Sequence, residues 1–439
     1  MALSGIQIYK LLPQTNCKEC GFPTCLAFAM KLAAKQVELS ACPYVTEESK
    51  TQLAESAAPP IRLISLKSDG YEVNAGNEVV LFRHEKTFYN KPGLFVKVRD
   101  DEDVETLKAK VAKADAYQTN YVGMALEVDG FAIQASGSDA AKFSSAVKAV
   151  RQSTKRPLIL VSRDPAVIAE GLKVLQGESA LIHGADASNW ERMADLAKQY
   201  DASLVVMAPN LEELADLTDK IKAKGIENMV LDPVAADLST SLTFSTQIRR
   251  LALKKNFRPL GFPQLVFAKN PEAAAQAISK YAGFIVLEDF APETIYPLLV
   301  LRQNVYTDPQ KPIQVQPGIY EINNPKPDSP VLITTNFSIT YFSVANEVES
   351  SGLPSWLVVT DAEGMSVLTA WAAGKFDAER IAKSVKGFNV EEKISQKRVV
   401  IPGAVAVLSG ELEEELPGWD IRVGPREAVD IPKFLKEAL

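Results

Sequence analysis

Between residues 93 and 287, short apolar runs recur at 94–98, 122–128, 158–161, 180–183, 204–208, 229–232, 265–267 and 284–287, each followed by a polar, helix-like stretch. Eight strand-then-helix units over about 200 residues is the count of a (β/α)8 TIM barrel, although a doubly wound parallel sheet gives the same pattern. Beyond residue 330 the unit returns on a smaller scale. Strands at 331–334, 356–359, 398–401 and 420–423 alternate with helices at 338–351, 365–373, 404–415 and 426–438. This predicts an open, Rossmann-like α/β domain. Its ligands would sit beyond the strand ends, at Thr335-Asn336, Thr360-Asp361, Pro402-Gly403 and Gly424-Pro425.

The amino-terminal stretch is helical instead. Residues 26–39 are rich in Ala, Leu, Met and Lys and follow Pro23 and Thr24, so a helix is expected to begin at Cys25. Proline-containing seams at 56–60 and 323–330 then divide the chain into a small helical domain (1–58), a barrel (59–325) and the α/β domain (326–439). The first seam, Ser56-Ala57-Ala58-Pro59-Pro60, reads as a short, semi-stiff tether.

At 439 residues, 46% hydrophobic, the chain can bury more than one core. A net charge of -7 gives no basic footprint for nucleic acid, and no apolar span is long enough for a membrane. Residues 1–20 lack the apolar core of a secretory signal, and no cysteine follows Cys42. A reducing cytoplasm is the expected compartment, with proteins or small molecules as partners.

The four cysteines, Cys17, Cys20, Cys25 and Cys42, carry the clearest chemistry. Three thiols within nine residues can wrap one face of a compact inorganic core, and the fourth closes it from a distance. The spacing C-x2-C-x4-C-x16-C, with Pro43 after the last, therefore favours an iron-sulfur cluster of the 4Fe-4S type over structural zinc, which more often uses two separated pairs, and over disulfides. A helix starting at Cys25 would turn its positive end towards the sulfurs, or simply pack the small domain.

His84 and His183 are the two histidines, too few for a zinc hydrolase or a Ser-His-Asp enzyme. His183 ends the fourth expected barrel strand, where it would contact a ligand or serve as a hydrogen-bonded structural residue. Asn210 and Asp232 at later strand ends would bind a pterin-like ring or cap the next helix. Residues 244–263 read as a rim insertion with Arg249 and Arg250 exposed. No residue is assigned a catalytic role.

Taken together, Leu12-Pro13-Gln14-Thr15-Asn16-Cys17, Cys20-Gly21, Pro23-Thr24-Cys25 and Phe28-Ala29, then a barrel, then an α/β domain holding Thr369-Ala370-Trp371-Ala372-Ala373-Gly374, resemble the large (gamma) subunit of the corrinoid iron-sulfur protein of the reductive acetyl-CoA (Wood-Ljungdahl) pathway. The resemblance covers the whole chain. It implies a methyl carrier whose cobalamin-type corrinoid accepts a methyl group from methyltetrahydrofolate on a methyltransferase and passes it to acetyl-CoA synthase/carbon monoxide dehydrogenase. The cluster would restore Co(II) to Co(I) with the help of a reductive activator. It also implies a heterodimer, the corrinoid lying between the carboxyl-terminal domain and a small subunit, with contacts from Thr340, Asn346, Ala370, Trp371, Ala372, Ala373 and Phe434. Helix-face alanines such as these are also ordinary packing residues. Because no histidine follows His183, that domain offers no imidazole beneath cobalt, and a base-off corrinoid is expected. The competing readings are an iron-sulfur flavoprotein electron carrier, since open α/β domains also hold flavins, and a pterin-dependent methyltransferase acting through its own barrel.

Overall fold

The computed structural model describes residues 5–34, 36–50, 53, 59–86, 88–121, 124–308 and 313–437. It comprises two compact units, one of residues 1–119 and 126–306, the other of residues 120–125 and 307–439.

In the first unit, helices α1 (Gly5–Leu11) and α2 (Cys25–Ala33) pack together at the amino end. A hairpin of β1 (Ile64–Ser68) and β2 (Tyr71–Ala75) turns at Asp69-Gly70. After β3 (Gly93–Arg99) the chain forms a short sheet of β4 (Thr119–Tyr121) and β5 (Met124–Leu126), most of which falls to the second unit, and the first unit resumes with β6 (Gly130–Gln134), β7 (Leu158–Val161), β8 (Leu181–Ala185), β9 (Ser203–Ala208), β10 (Met229–Pro233), β11 (Gln264–Ala268) and β12 (Ala282–Leu287). Strands β3 and β6 to β12 close a barrel of parallel neighbours, with β12 pairing back onto β3. Interleaved are α3 (Val104–Asp115), α4 (Ala140–Ser153), α5 (Pro165–Val174), α6 (Trp190–Tyr200), α7 (Leu211–Ala223), α8 (Leu238–Lys255), α9 (Pro271–Ser279) and α10 (Pro292–Val305).

These elements form for local reasons. Strands β7, β9 and β12 are buried at every position, as both faces of a parallel sheet require. Asp103, Asp139, Asp164, Asn210, Asp237 and Asn270 each cap the helix that follows by accepting its first free N-H groups. The hairpin's inner face, Ile64, Leu66, Val73 and Ala75, packs on Phe95, Ile159, Leu181 and Phe284 and plugs the amino-terminal mouth of the barrel.

The doubly wound alternative for the central region is thus set aside, and one barrel strand moves. The apolar run 122–128 is not a barrel strand: it overlaps the β4/β5 sheet, and the strand pairing with β3 starts at Gly130. A Cβ there would lie 2.2 Å from Pro157 O and 2.5 Å from the Phe95 ring, so the position admits only glycine.

Residues 244–263 are no insertion either. They contain the end of α8, and Arg249 is buried, donating to Val80 O and Glu78 Oε2 while its guanidinium lies over the rings of Phe88 and Tyr281 at 5.3 and 4.7 Å. Arg250 is exposed as expected. Removing Arg249 would strand the buried Glu78 carboxyl, so Arg249→Ala is expected to lower unfolding free energy by about 3–5 kcal/mol in a urea titration. Arg250→Ala should stay within about 0.5 kcal/mol, and equal effects would contradict this placement.

Of the tether, residues 56–58 lie outside the described residues. Pro59 is fastened to the barrel, its carbonyl accepting from Arg258 Nη1 at 2.6 Å.

The second unit is an open sheet of β13 (Gly318–Ile322), β14 (Val331–Thr335), β15 (Ser355–Thr360), β16 (Arg398–Ile401) and β17 (Asp420–Val423), ordered β13-β15-β14-β16-β17, with only β13 antiparallel. Because β13 belongs to this sheet and the unit starts at Thr307, residues 307–325 fall with the α/β unit and not with the barrel. The helices are α11 (Ser338–Ser351), α12 (Val367–Ala372), α13 (Ala378–Gly387), α14 (Ser409–Glu415) and α15 (Ile431–Glu437). Val331, Ile333, Val358, Val399 and Ile401 feed one core while Leu332, Leu357, Val359 and Val400 feed the other, so both faces are covered. Among the described residues no helix is long and apolar enough to cross a membrane.

Candidate functional site

The thiols lie on a strained loop and the turn facing it. Between α1 and α2 the backbone takes left-handed conformations at Gln14 (φ 58), Asn16 (φ 51), Lys18 (φ 67) and Gly21 (φ 82). Such conformations are unfavourable for residues other than glycine and concentrate at functional sites. The curled chain brings the Asn16 N-H to Cys25 Sγ at 3.4 Å, while Asn16 Oδ1 accepts from the Cys25 N-H at 2.8 Å. Thr24 caps α2 through the Ala27 N-H, so the helix begins at Cys25, as expected, but ends at Ala33, short of 39.

Cys25 and Cys42 are buried, Cys20 is half-buried and Cys17 is exposed. The first three share an apolar cluster with Leu12, Phe22, Phe28 and Val45. Cys42 closes a 3-10 turn, its N-H donating to Leu39 O. Tyr44 Oη donates to Glu19 Oε1 at 2.7 Å, which is the first reason its proton is held above the usual phenol range; Glu19, Cys17 and Cys42 add negative potential beside it. Among the described residues no three His, Cys, Asp or Glu side chains converge as for a single ion. Thiols with no histidine among them, and a backbone amide on one sulfur, are the type of donor that iron-sulfur clusters use.

A second candidate site is a cleft of about 610 Å³ in the α/β unit. The chain leaves β14 for β15 on one side and β16 lies on the other, so the cleft opens where the strand order reverses, the usual ligand position of such sheets. Its walls include Thr334, Ile401 and Pro402 at the strand ends, Ile339, Thr340 and Val344 of α11, and Leu368 of α12. Of the wall residues, Thr334 has a buried hydroxyl without a hydrogen-bond partner, as do Thr335, Ser338, Ser355 and Thr360, which do not line the cleft. Each such group costs about 1–3 kcal/mol. The surrounding surface is apolar, with Ile339 60%, Leu368 55%, Val407 70% and Val429 68% exposed.

The expected strand-end residues take different places. Asn336 is buried and committed internally: its amide donates to Gln314 Oε1 and Asp361 Oδ1, and its Oδ1 accepts from the N-H groups of Ala362 and Gly364. Pro402, Gly424 and Pro425 line the cleft, and Gly403 lets the two loops touch, its N-H donating to Pro425 O at 3.0 Å. Of the residues implied by resemblance, Thr340 lines the cleft, Ala370 is buried in the core, and Trp371, Ala372 and Ala373 are exposed at the end of α12. Asn346 is exposed on α11, and Phe434 packs on the core beneath α15.

At the barrel rim, His183 Nε2 lies 2.8 Å from Asp232 Oδ2, and its ring meets Phe267 edge-on at 4.9 Å. Asn210 caps α7 through the Glu213 N-H. Structural work therefore accounts for His183 and Asn210, although Asp232 also forms part of the wall of a cavity of about 460 Å³.

Comparison with known proteins matches residues 64–435 to a family described as "CO dehydrogenase/acetyl-CoA synthase delta subunit" and residues 12–44 to one described as "Putative Fe-S cluster". The chain is 45% identical to the corrinoid/iron-sulfur protein large subunit of Moorella thermoacetica, with all of both chains covered. It is 33% identical to the acetyl-CoA decarbonylase/synthase complex subunit gamma of Methanopyrus kandleri, over 99% of this chain and 98% of that one. Among solved structures, dihydropteroate synthase from Xanthomonas albilineans matches 56% of this chain and 100% of its own at 14% identity, with a TM-score of 0.38.

Proposed function

The chain belongs to the family of corrinoid/iron-sulfur protein large subunits, which includes acetyl-CoA decarbonylase/synthase gamma subunits, and on that footing we propose that it is a methyl carrier of the acetyl-CoA pathway. The observation that carries the reading is the pairing, in one chain, of four thiols on a loop and the turn facing it with an open cleft where the strand order of the α/β sheet reverses. When bound, a corrinoid supplies the centre that accepts and donates the methyl group, and a 4Fe-4S cluster supplies single electrons to keep that centre reduced.

The chain's own residues divide the work. Cys17, Cys20, Cys25 and Cys42 hold the cluster, on an amino-terminal domain of residues 1–58. Thr340 offers its hydroxyl to the corrin's amide rim, Ile339 and Leu368 cover its apolar face, and Trp371 to Ala373, Asn346 and Phe434 extend the contact surface outwards. With no histidine after His183, the α/β unit would offer a bound corrinoid no imidazole.

A cleft of about 610 Å³ is too small to enclose a corrin, and its apolar surroundings are half or more exposed at Ile339 and Leu368. The small subunit of the heterodimer supplies the second wall. A methyltetrahydrofolate methyltransferase, acetyl-CoA synthase/carbon monoxide dehydrogenase and a reductive activator are the further partners, in the cytoplasm.

Metal analysis of the heterodimer tests the reading, with about four iron and one cobalt expected. A flavin spectrum without cobalt would instead establish the electron-carrier alternative. The two cofactors should also separate. A cluster-free Cys20→Ala protein, reduced chemically, is expected to accept a methyl group at close to the parental rate yet fail to recover from oxidation with protein electron donors. A large drop in the methylation rate at full corrinoid occupancy would refute that separation.

A further inference from the structure

The two segments that supply thiols share an apolar cluster, and among the described residues a side-chain hydrogen bond also joins them, from Tyr44 to Glu19 across 25 positions. Glu19 is the neighbour of Cys20, inside the strained loop. Tyr44 follows Cys42 by two residues, and the residue between them is Pro43. Proline fixes its own φ and holds the preceding residue extended, as Cys42 is, with φ -97 and ψ 110. A restraint on Tyr44 is therefore passed to Cys42 along a stiff lever. Burial does not hold Tyr44 itself, which is 51% exposed, so the phenol-carboxylate bond is what fixes it.

We propose that the Tyr44-Glu19 hydrogen bond is a clasp that holds the Cys42 segment against the Cys17-Cys20 loop, making both residues positioning residues for the cluster; this rests on the cluster reading above. Its effect is kinetic. A clasped Cys42 would be kept at high effective concentration beside the Cys17-Cys20 loop, whereas an unclasped one would be free to move away from it.

The full chain, loaded with iron and sulfide without oxygen, is challenged with a ferrous chelator. Tyr44→Phe and Glu19→Ala are each expected to release iron on the order of tenfold faster than the parent, the effect of losing one charge-assisted hydrogen bond. Glu19→Gln keeps a carbonyl oxygen that accepts from the phenol, so its release should stay within about twofold of the parent. Parental rates in Tyr44→Phe and Glu19→Ala would overturn the clasp, and so would Glu19→Gln behaving like Glu19→Ala, which would make the charge and not the bond responsible. A parental chain that takes up no iron would overturn the cluster reading, and the clasp with it.

Discussion

Serine in place of Cys25 or Cys42 is expected to remove the cluster almost completely, with iron and sulfide content falling more than tenfold and the reduced-state magnetic resonance signal lost. The reason is burial. Both thiols are 6% exposed in a cluster lined by Leu12, Phe28 and Val45, where no solvent stands ready to replace a missing soft ligand by a hard one. Cys17 is exposed, so a serine or water oxygen can occupy its corner, and Cys17→Ser should retain a labile cluster with a shifted signal. A uniform response at all four positions would contradict this ordering, and parental iron content in all four variants would remove the ligand assignment altogether.

Gly403→Val is expected to reduce corrinoid content to under a tenth of the parental level and to destabilise the α/β unit by about 1–3 kcal/mol, the range for overpacking. A Cβ at Gly403 would lie 2.4 Å from Gly424 O and 2.8 Å from Pro425 C, both backbone atoms that cannot swing aside. The β16 and β17 loops would have to part, displacing Pro402 and Pro425 in the cleft wall. Gly410→Ala is the control: nothing lies within 4 Å, and the position is inside α14, so a gain of about 0.5–1 kcal/mol is expected. Cobalt per chain and urea midpoints report both effects, and unchanged cobalt in Gly403→Val would show that this cleft does not hold the corrinoid.

Much of the architecture could be read from the sequence because parallel strands covered on both faces leave unbroken apolar runs. Seven of the eight barrel runs and the four runs predicted for the α/β sheet fall where the structure has strands, while its antiparallel fifth strand, β13, has no apolar run to mark it. The misreading at 122–128 came from a competing signal: Gly130, needed for close approach of Phe95 and Pro157, looks like a loop residue. The β1/β2 hairpin has a legible mark, Asp69-Gly70 between alternating apolar positions, but it stands outside the repeating barrel units. Arg249 was misplaced because a charged side chain says nothing of the carboxylate and rings waiting for it far away in sequence. Likewise, the cysteine spacing pointed to a cluster, but Tyr44-Glu19 and the Asn336 knot depend on where loops meet. The unpartnered hydroxyls of Thr334 and Ser338 are ordinary polar letters until burial makes them orphans.

Closure of the barrel between β12 and β3 sets a waiting time during synthesis. Gly93 pairs with Phe284, about 190 residues later, so β3 can find its β6 neighbour early, but its other edge stays bare until β12 emerges. At typical elongation rates that interval is roughly 10–40 s. Throughout it the nascent chain presents the unpaired edge of a strand that is apolar apart from Lys97 and Arg99, a template for pairing with another chain. The hairpin plug lies ahead of β3 in the sequence, so it is made first and can cover the inner face of Phe95 while the edge waits. Truncated or slowly translated chains that stop before residue 282 should therefore be the aggregating species, and the full-length chain the soluble one.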